Sequence, residues 1–245
     1  MSAVRFVTGF LLERGRAMPR VLLVLTSHGQ LGSTGIATGV GLQTFASPYY
    51  LLTEAGIDVQ VASPMGGQPP VDPLSFGDGV ETAALRRLSA DKEAQSLLEH
   101  TMALPAVDSE RYDGLFFTGG HGGMWDLPEN ESAGHLISAA LSADKPVVAV
   151  CHGVAALCSP DPVTGHAPVK GRRVTGLSNR EEVLLGRHQS VPFLLQDRLT
   201  SLGAVFEEAA EFSSHVVVDN QLITGQNMRS ADQASRALLA VLNRS

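Results

Sequence analysis

Short apolar runs that break off into loops of glycine, histidine and small polar residues constrain this chain most. Arg20–Thr26 reads RVLLVLT and gives way to SHGQLGSTGIATG; Gly114–Phe117 reads GLFF and gives way to TGGHGG. Pro146–Val150 runs directly into Cys151-His152-Gly153. An uninterrupted apolar run of this length, with no polar alternation, suits a strand covered on both faces, as in a parallel sheet. Asp58–Ala62 adds another strand, and VVVDNQLITG predicts a hairpin with Asp219-Asn220 at its turn.

Helical segments separate these strands. Phe45–Ala55 predicts a helix with Pro48 in its first turn, where proline is tolerated. Further helices are expected over residues 90–102, over Glu131–Ala143, from Cys151 onward, and over Arg229–Leu242. Ser63–Pro73, SPMGGQPPVDP, is too rich in Pro and Gly for regular structure. Strands alternating with helices imply an α/β fold with a mainly parallel central sheet. Ligands bind beyond the carboxyl ends of such strands, where SHGQLGSTG, TGGHGG and CHG all fall.

Composition narrows the function. Hydrophobic residues make up 44% of the 245 residues and charged residues 18%, as in an ordinary globular protein. A net charge of −7 without any basic stripe argues against a nucleic-acid partner. No apolar run is long enough to span a membrane. Two cysteines, Cys151 and Cys158, give neither a disulfide framework nor a metal-ligand spacing, so reduced thiols and a cytoplasmic setting are expected. Residues 1–18 read as an extension without fixed structure, left by an upstream start, with one domain over 19–245. Thr8 and Gly9 interrupt the apolar stretch that a leader or amphipathic anchor would need.

Cys151 ends a buried strand and opens a helix, the strand-turn-helix elbow that presents a nucleophile. Unpaired N–H groups and the helix dipole at that point favour the thiolate. The opposing expectation is a thiol packed as a small hydrophobe.

Cys151-His152-Gly153, Gly119-Gly120-His121-Gly122 and MWDLPEN from Met124 together resemble the DJ-1/PfpI superfamily, in its Hsp31-like, glyoxalase III-like branch. TGVGLQTFASPYY, ASPMGGQPPVDP, VTGLSNREE, VPFLLQDRL and LITGQN extend the resemblance over most of the chain from about Pro19. It implies a flavodoxin-like three-layer sandwich with a nucleophile elbow, related to class I glutamine amidotransferases. It further implies a homodimer and a cofactor-independent cysteine enzyme, without metal, acting on a small carbonyl compound. Cys151 matches the nucleophile, His152 the adjacent histidine, and Glu182 the carboxylate, with Glu181 as its alternative. Gly119 and Gly120 match the loop lending an N–H to the oxyanion hole, beside the amide of His152. His121 faces the pocket or bonds within its loop; Trp125 lines the pocket or anchors its loop.

Three positions depart from the family pattern. Thr44 stands where a glutamate is usual, which places in doubt the proton transfer that a glyoxalase III-like reaction needs. Gly41 replaces a bulky aromatic residue and Met228 a proline, implying a roomier pocket and a substrate larger than methylglyoxal. A hydratase, lyase or cyclase reaction at Cys151, or a holdase chaperone, are the alternative functions.

Overall fold

The computed structural model describes residues 18–76 and 81–244. The expected extension therefore lies outside the described residues, apart from Met18. In chain order the strands are β1 (Arg20–Val24), β2 (Asp58–Ser63), β3 (Met102–Ala103), β4 (Gly114–Phe117), β5 (Val147–Val150), β6 (Arg173–Val174), β7 (Val205–Phe206), β8 (Val216–Asp219) and β9 (Leu222–Gly225). The α-helices are α1 (Leu42–Glu54), α2 (Ala83–Ala90), α3 (Lys92–Glu99), α4 (Gly123–Asp126), α5 (Glu131–Ser142), α6 (Asn179–Leu184), α7 (Leu195–Ser201) and α8 (Ala231–Leu242).

Seven strands form one sheet in the order β3-β2-β1-β4-β5-β9-β8, parallel except for the β8–β9 hairpin. β6 and β7 form a small separate ladder. Side chains alternate across each strand, and both faces of the sheet are covered. Leu22, Val24, Leu115, Phe117, Val147 and Ala149 face a core completed by α5, α7 and the segment after Cys151. Val21, Leu23, Phe116, Val148 and Val150 face the opposite core, completed by α1 and α8. The chain is thus the three-layer flavodoxin-like sandwich expected. β4 and β5 are completely buried, which explains why GLFF and VVAV lack polar alternation.

Several elements differ from expectation in ways their residues explain. α1 begins at Leu42, so Pro48 sits inside it, without the N–H that would reach the carbonyl of Thr44. The helix expected over residues 90–102 is the shorter α3, Lys92–Glu99, and α2 precedes it. Asp91 ends α2 and caps α3, its carboxylate accepting the N–H groups of Glu93 at 3.1 Å and Ala94 at 3.0 Å. Asn220 carries the left-handed φ of 55° in the β8–β9 turn. After β5 the chain winds as a 3-10 helix, Cys151–Cys158, rather than an α-helix. All eight of its residues are buried. Gly153 permits this close packing: a Cβ there would lie 2.3 Å from the carbonyl oxygen of Thr118. Among the described residues no helix is long and apolar enough to cross a membrane.

Candidate active site

β5 delivers Cys151 to the carboxyl edge of the sheet, and the elbow is visible in its backbone. Cys151 has φ 55°, a left-handed conformation that costs a non-glycine residue on the order of 1–3 kcal/mol. The thiol is 6% exposed, at the floor of a cavity of about 40 Å³. Gly119 makes room for it, since a Cβ there would stand 2.7 Å from the Cys151 Cβ. Cys158 lies in the core, where burial pushes its thiol up to about 12. The two thiols are free, as expected.

His152 turns back toward its neighbour, with Nδ1 3.6 Å from the Cys151 sulfur. Its Nε2 donates to Glu182 Oε2 at 2.8 Å, which leaves Nδ1 as the acceptor facing the thiol. Burial is the largest influence on His152 and, with His121, opposes its positive charge. Cys151 and Glu182 outweigh both and hold its pKa above the usual histidine value. Glu182 is buried too, yet the charge of His152 and bonds from both histidines hold its carboxyl well below the usual carboxylate range.

The choice between the two glutamates is made by α6. Ser178 caps this helix, and the Glu181 carboxylate returns to the Ser178 N–H at 3.0 Å, forming a capping box. Glu181 also accepts the N–H of Phe212 and the side-chain amide of Asn227, each at 2.8 Å. It is committed to the fold. Glu182, about 100° further round the helix, is the one that meets the histidines.

His121 faces the pocket as well as its neighbours. Its Nε2 donates to the second oxygen of Glu182 at 2.9 Å, and its ring lies 3.9 Å from that of His152. Its Nδ1 has Arg187 Nη1 at 3.0 Å and Asp72 Oδ2 at 3.5 Å. The neutral ring accepts from Arg187, whereas the charged ring would donate to Asp72. Burial disfavours that charge, but bonds to Asp72 and Glu182 raise the pKa above the usual value. Asp72 is itself fixed by Arg187 at 3.0 Å, the Thr38 hydroxyl at 2.7 Å and the Leu74 N–H at 2.9 Å. Although Asp72 is buried, those partners and His121 keep its carboxyl below the usual range.

Asp72, Thr38 and Arg187 were not legible as site residues. Asp72 is the acid of PPVDP, where Asp-Pro reads as a turn, and Arg187 follows α6 in LLGRH.

Gly119 does not lend its amide to the pocket. That N–H donates to the Thr44 hydroxyl at 2.8 Å, and Thr44 passes its own proton to the Gly41 carbonyl at 2.6 Å. Threonine here pins the glycine loop, and its single proton is spent on the main chain. Gly120, with φ 121°, lines the cavity directly. Trp125 is not among the cavity residues. It stacks on His28 with ring centroids 5.0 Å apart, while Asp126 beside it accepts from Thr26 at 2.8 Å and the Ser27 N–H at 2.6 Å. The MWD segment therefore anchors the loop after β1. Gly41 lines this cavity with Thr44, Leu185 and Met228, and a Cβ there would stand 3.5 Å from the Thr44 hydroxyl and 3.6 Å from the Gly119 carbonyl.

His121, His152 and Glu182 hold donor atoms within 4.8 Å of one another, close enough to grip a metal ion. Both histidine Nε2 atoms, however, already share protons with the two Glu182 oxygens, and Arg187 adds a positive charge beside them. These residues suit a proton network better than a cation.

A buried cysteine at a strand-to-helix elbow, with His152 and Glu182 in line behind it on a flavodoxin-like sheet, defines the glutamine-amidotransferase-like class of α/β proteins. Within it the chain belongs to the DJ-1/PfpI family, whose sequence profile matches residues 36–241. It is 32% identical to glutamine amidotransferase-like class 1 domain-containing protein 1 of Bos taurus, over 93% of this chain and 96% of that protein. It is 28% identical to the glutathione-independent glyoxalase hsp3101 of Schizosaccharomyces pombe, over 91% of this chain and 95% of that protein. The crystal structure of rapid encystment protein REP24 of Francisella tularensis superposes with a TM-score of 0.87 at 35% identity, covering 92% of this chain and 99% of that one.

Proposed function

We propose that this protein is a glutathione-independent enzyme that converts a small 2-oxoaldehyde into the corresponding 2-hydroxy acid through a covalent adduct on Cys151. The observation that carries the reading is the line Cys151–His152–Glu182, with an acceptor nitrogen 3.6 Å from the sulfur and its opposite nitrogen fixed by a carboxylate. The glyoxalase named among the relatives supports the substrate class.

His152 takes the thiol proton as sulfur bonds to the aldehyde carbon, then passes it to the aldehyde oxygen, giving a hemithioacetal. The backbone N–H groups of Gly120 and His152 serve the developing oxyanion; the first turn after Cys151 leaves such amides without helical partners. His152, neutral again, removes the proton from the former aldehyde carbon, and the electron pair moves through to the neighbouring carbonyl. Returning that proton to the second carbon and shifting the hydroxyl proton between the two oxygens yields a thioester of the 2-hydroxy acid. Water then cleaves the thioester, restoring the thiol. With Thr44 bonded to Gly41 and Gly119, His152 is the base that serves every step.

Incubation with methylglyoxal in the absence of glutathione, with lactate followed over time, tests the reading, and Cys151→Ala must abolish the product. One observation favours a second reading, a hydratase or lyase reaction at the same thiol. Thr44 offers no carboxylate for the carbon-to-carbon proton transfer, and addition or elimination at a carbonyl needs none. Lactate formation by the wild-type protein decides between them.

A further inference from the structure

Two hollows meet at the candidate active site. The inner one, about 40 Å³, holds the Cys151 thiol; the outer one, about 680 Å³, is a groove bordered by Ser47, Arg87, Phe212 and Arg229. Gln43 and Met228 line both. These two residues stand where the hollows adjoin, and they are differently held. Gln43 is carried within α1, one residue before Thr44, whose hydroxyl is fixed on both sides. Met228 follows Asn227, a fully buried residue whose amide bonds Glu181 and the Ser213 carbonyl at 2.8 Å each. Its main chain thus continues from an anchored residue, while its side chain has three rotatable bonds and a polarizable thioether that adapts to what it touches.

On the scale of the inner volume, one water needs about 10–15 Å³. The cavity thus admits roughly three water-sized groups, the scale of a carbonyl pair with a methyl.

We propose that Met228 is the specificity-determining residue of this site, a partition that limits the thiol to carbonyl compounds with a short alkyl substituent. Truncating it joins the cavity to the groove and gives a longer substituent somewhere to lie. The inference rests on the 2-oxoaldehyde reading for its substrate class, whereas the partition itself concerns access to sulfur and can be measured without turnover.

The experiment compares alkylation of Cys151 by iodoacetamide and by its N-benzyl derivative in the wild-type protein, Met228→Ala and Met228→Phe. Intact-mass measurement assigns the adduct, and Cys151→Ala supplies the background. The rate ratio of large to small reagent is expected to rise about tenfold in Met228→Ala and to fall in Met228→Phe, the scale that a methylene or two of pocket space commands. A ratio unmoved in both variants overturns the partition. In parallel, turnover of methylglyoxal and of a 2-oxoaldehyde with a six-carbon alkyl chain is followed in the same proteins. A shifted alkylation ratio without turnover of either aldehyde defeats the 2-oxoaldehyde reading and leaves the partition standing. Turnover of methylglyoxal with unshifted ratios does the reverse.

Discussion

The Thr44 hydroxyl accepts the backbone N–H of Gly119 at 2.8 Å, and this bond ties α1 to the loop beneath the thiol. The same hydroxyl donates to the Gly41 carbonyl at 2.6 Å, so one small side chain bonds the main chain of both segments. A carboxylate at this position could accept from Gly119 but could not donate to Gly41. Where the family resemblance led to the expectation of a glutamate, the threonine thus acts as a clamp on the main chain.

Thr44→Val should therefore destabilise the protein by about 1–3 kcal/mol, the cost of leaving a buried amide unpaired. Thr44→Ser should retain most of the stability. Urea unfolding of the three proteins checks this, with equal midpoints for Val and Ser arguing against the clamp.

The adjacent glutamates should separate cleanly. Glu182→Gln is expected to lower turnover by about 10²–10⁴-fold, as for removal of a partner in general acid–base catalysis. Glu181→Gln should instead cost stability, about 1–3 kcal/mol, because three hydrogen-bond donors from Ser178, Phe212 and Asn227 lose their charged acceptor. Parallel kinetics and thermal melts read the two effects; activity loss of equal size in both variants would contradict the assignment.

Acid stability follows from Asp72 and Glu182, both held below the usual carboxylate range in the folded protein. A depressed folded pKa contributes stability that is present above the unfolded value, near 4 for these residues. It is lost as pH falls from there through the lower folded values. Asp72→Asn should flatten the fall in melting temperature below about pH 4. A variant with the wild-type acid slope would show that the Asp72–Arg187–His121 network is not charged in this way.

Thiol chemistry should be confined to one residue. With the Cys158 thiol pushed up to about 12 and buried, iodoacetamide at pH ~8 should add a single group, at Cys151. Peptide mapping that finds Cys158 labelled at a comparable rate would contradict its placement in the core.

Much of the site was legible because it follows the chain locally. VVAV running into Cys-His-Gly carries strand, elbow and adjacent histidine within a few residues, and α6 brings Glu182 from a recognisable run. What escaped was long-range or too short. Arg187 and Asp72 lie 115 positions apart, and Gly119 and Thr44 lie 75 apart, so nothing periodic joins them. β3, β6 and β7 have two residues each, below any length at which alternation registers. Trp125 was legible as a member of a motif, but the motif alone did not reveal that its ring stacks on His28 instead of facing the thiol.

In the proposed reaction Cys151 carries a carbonyl substrate and His152 moves its protons. The most direct measurement is conversion of methylglyoxal to lactate in deuterium oxide without glutathione, by the wild-type protein and by Cys151→Ala and His152→Ala. Lactate is expected from the wild type, with deuterium at its second carbon where the imidazole exchanges with solvent, and no product from either variant. Lactate formed at an undiminished rate by Cys151→Ala would contradict that reaction.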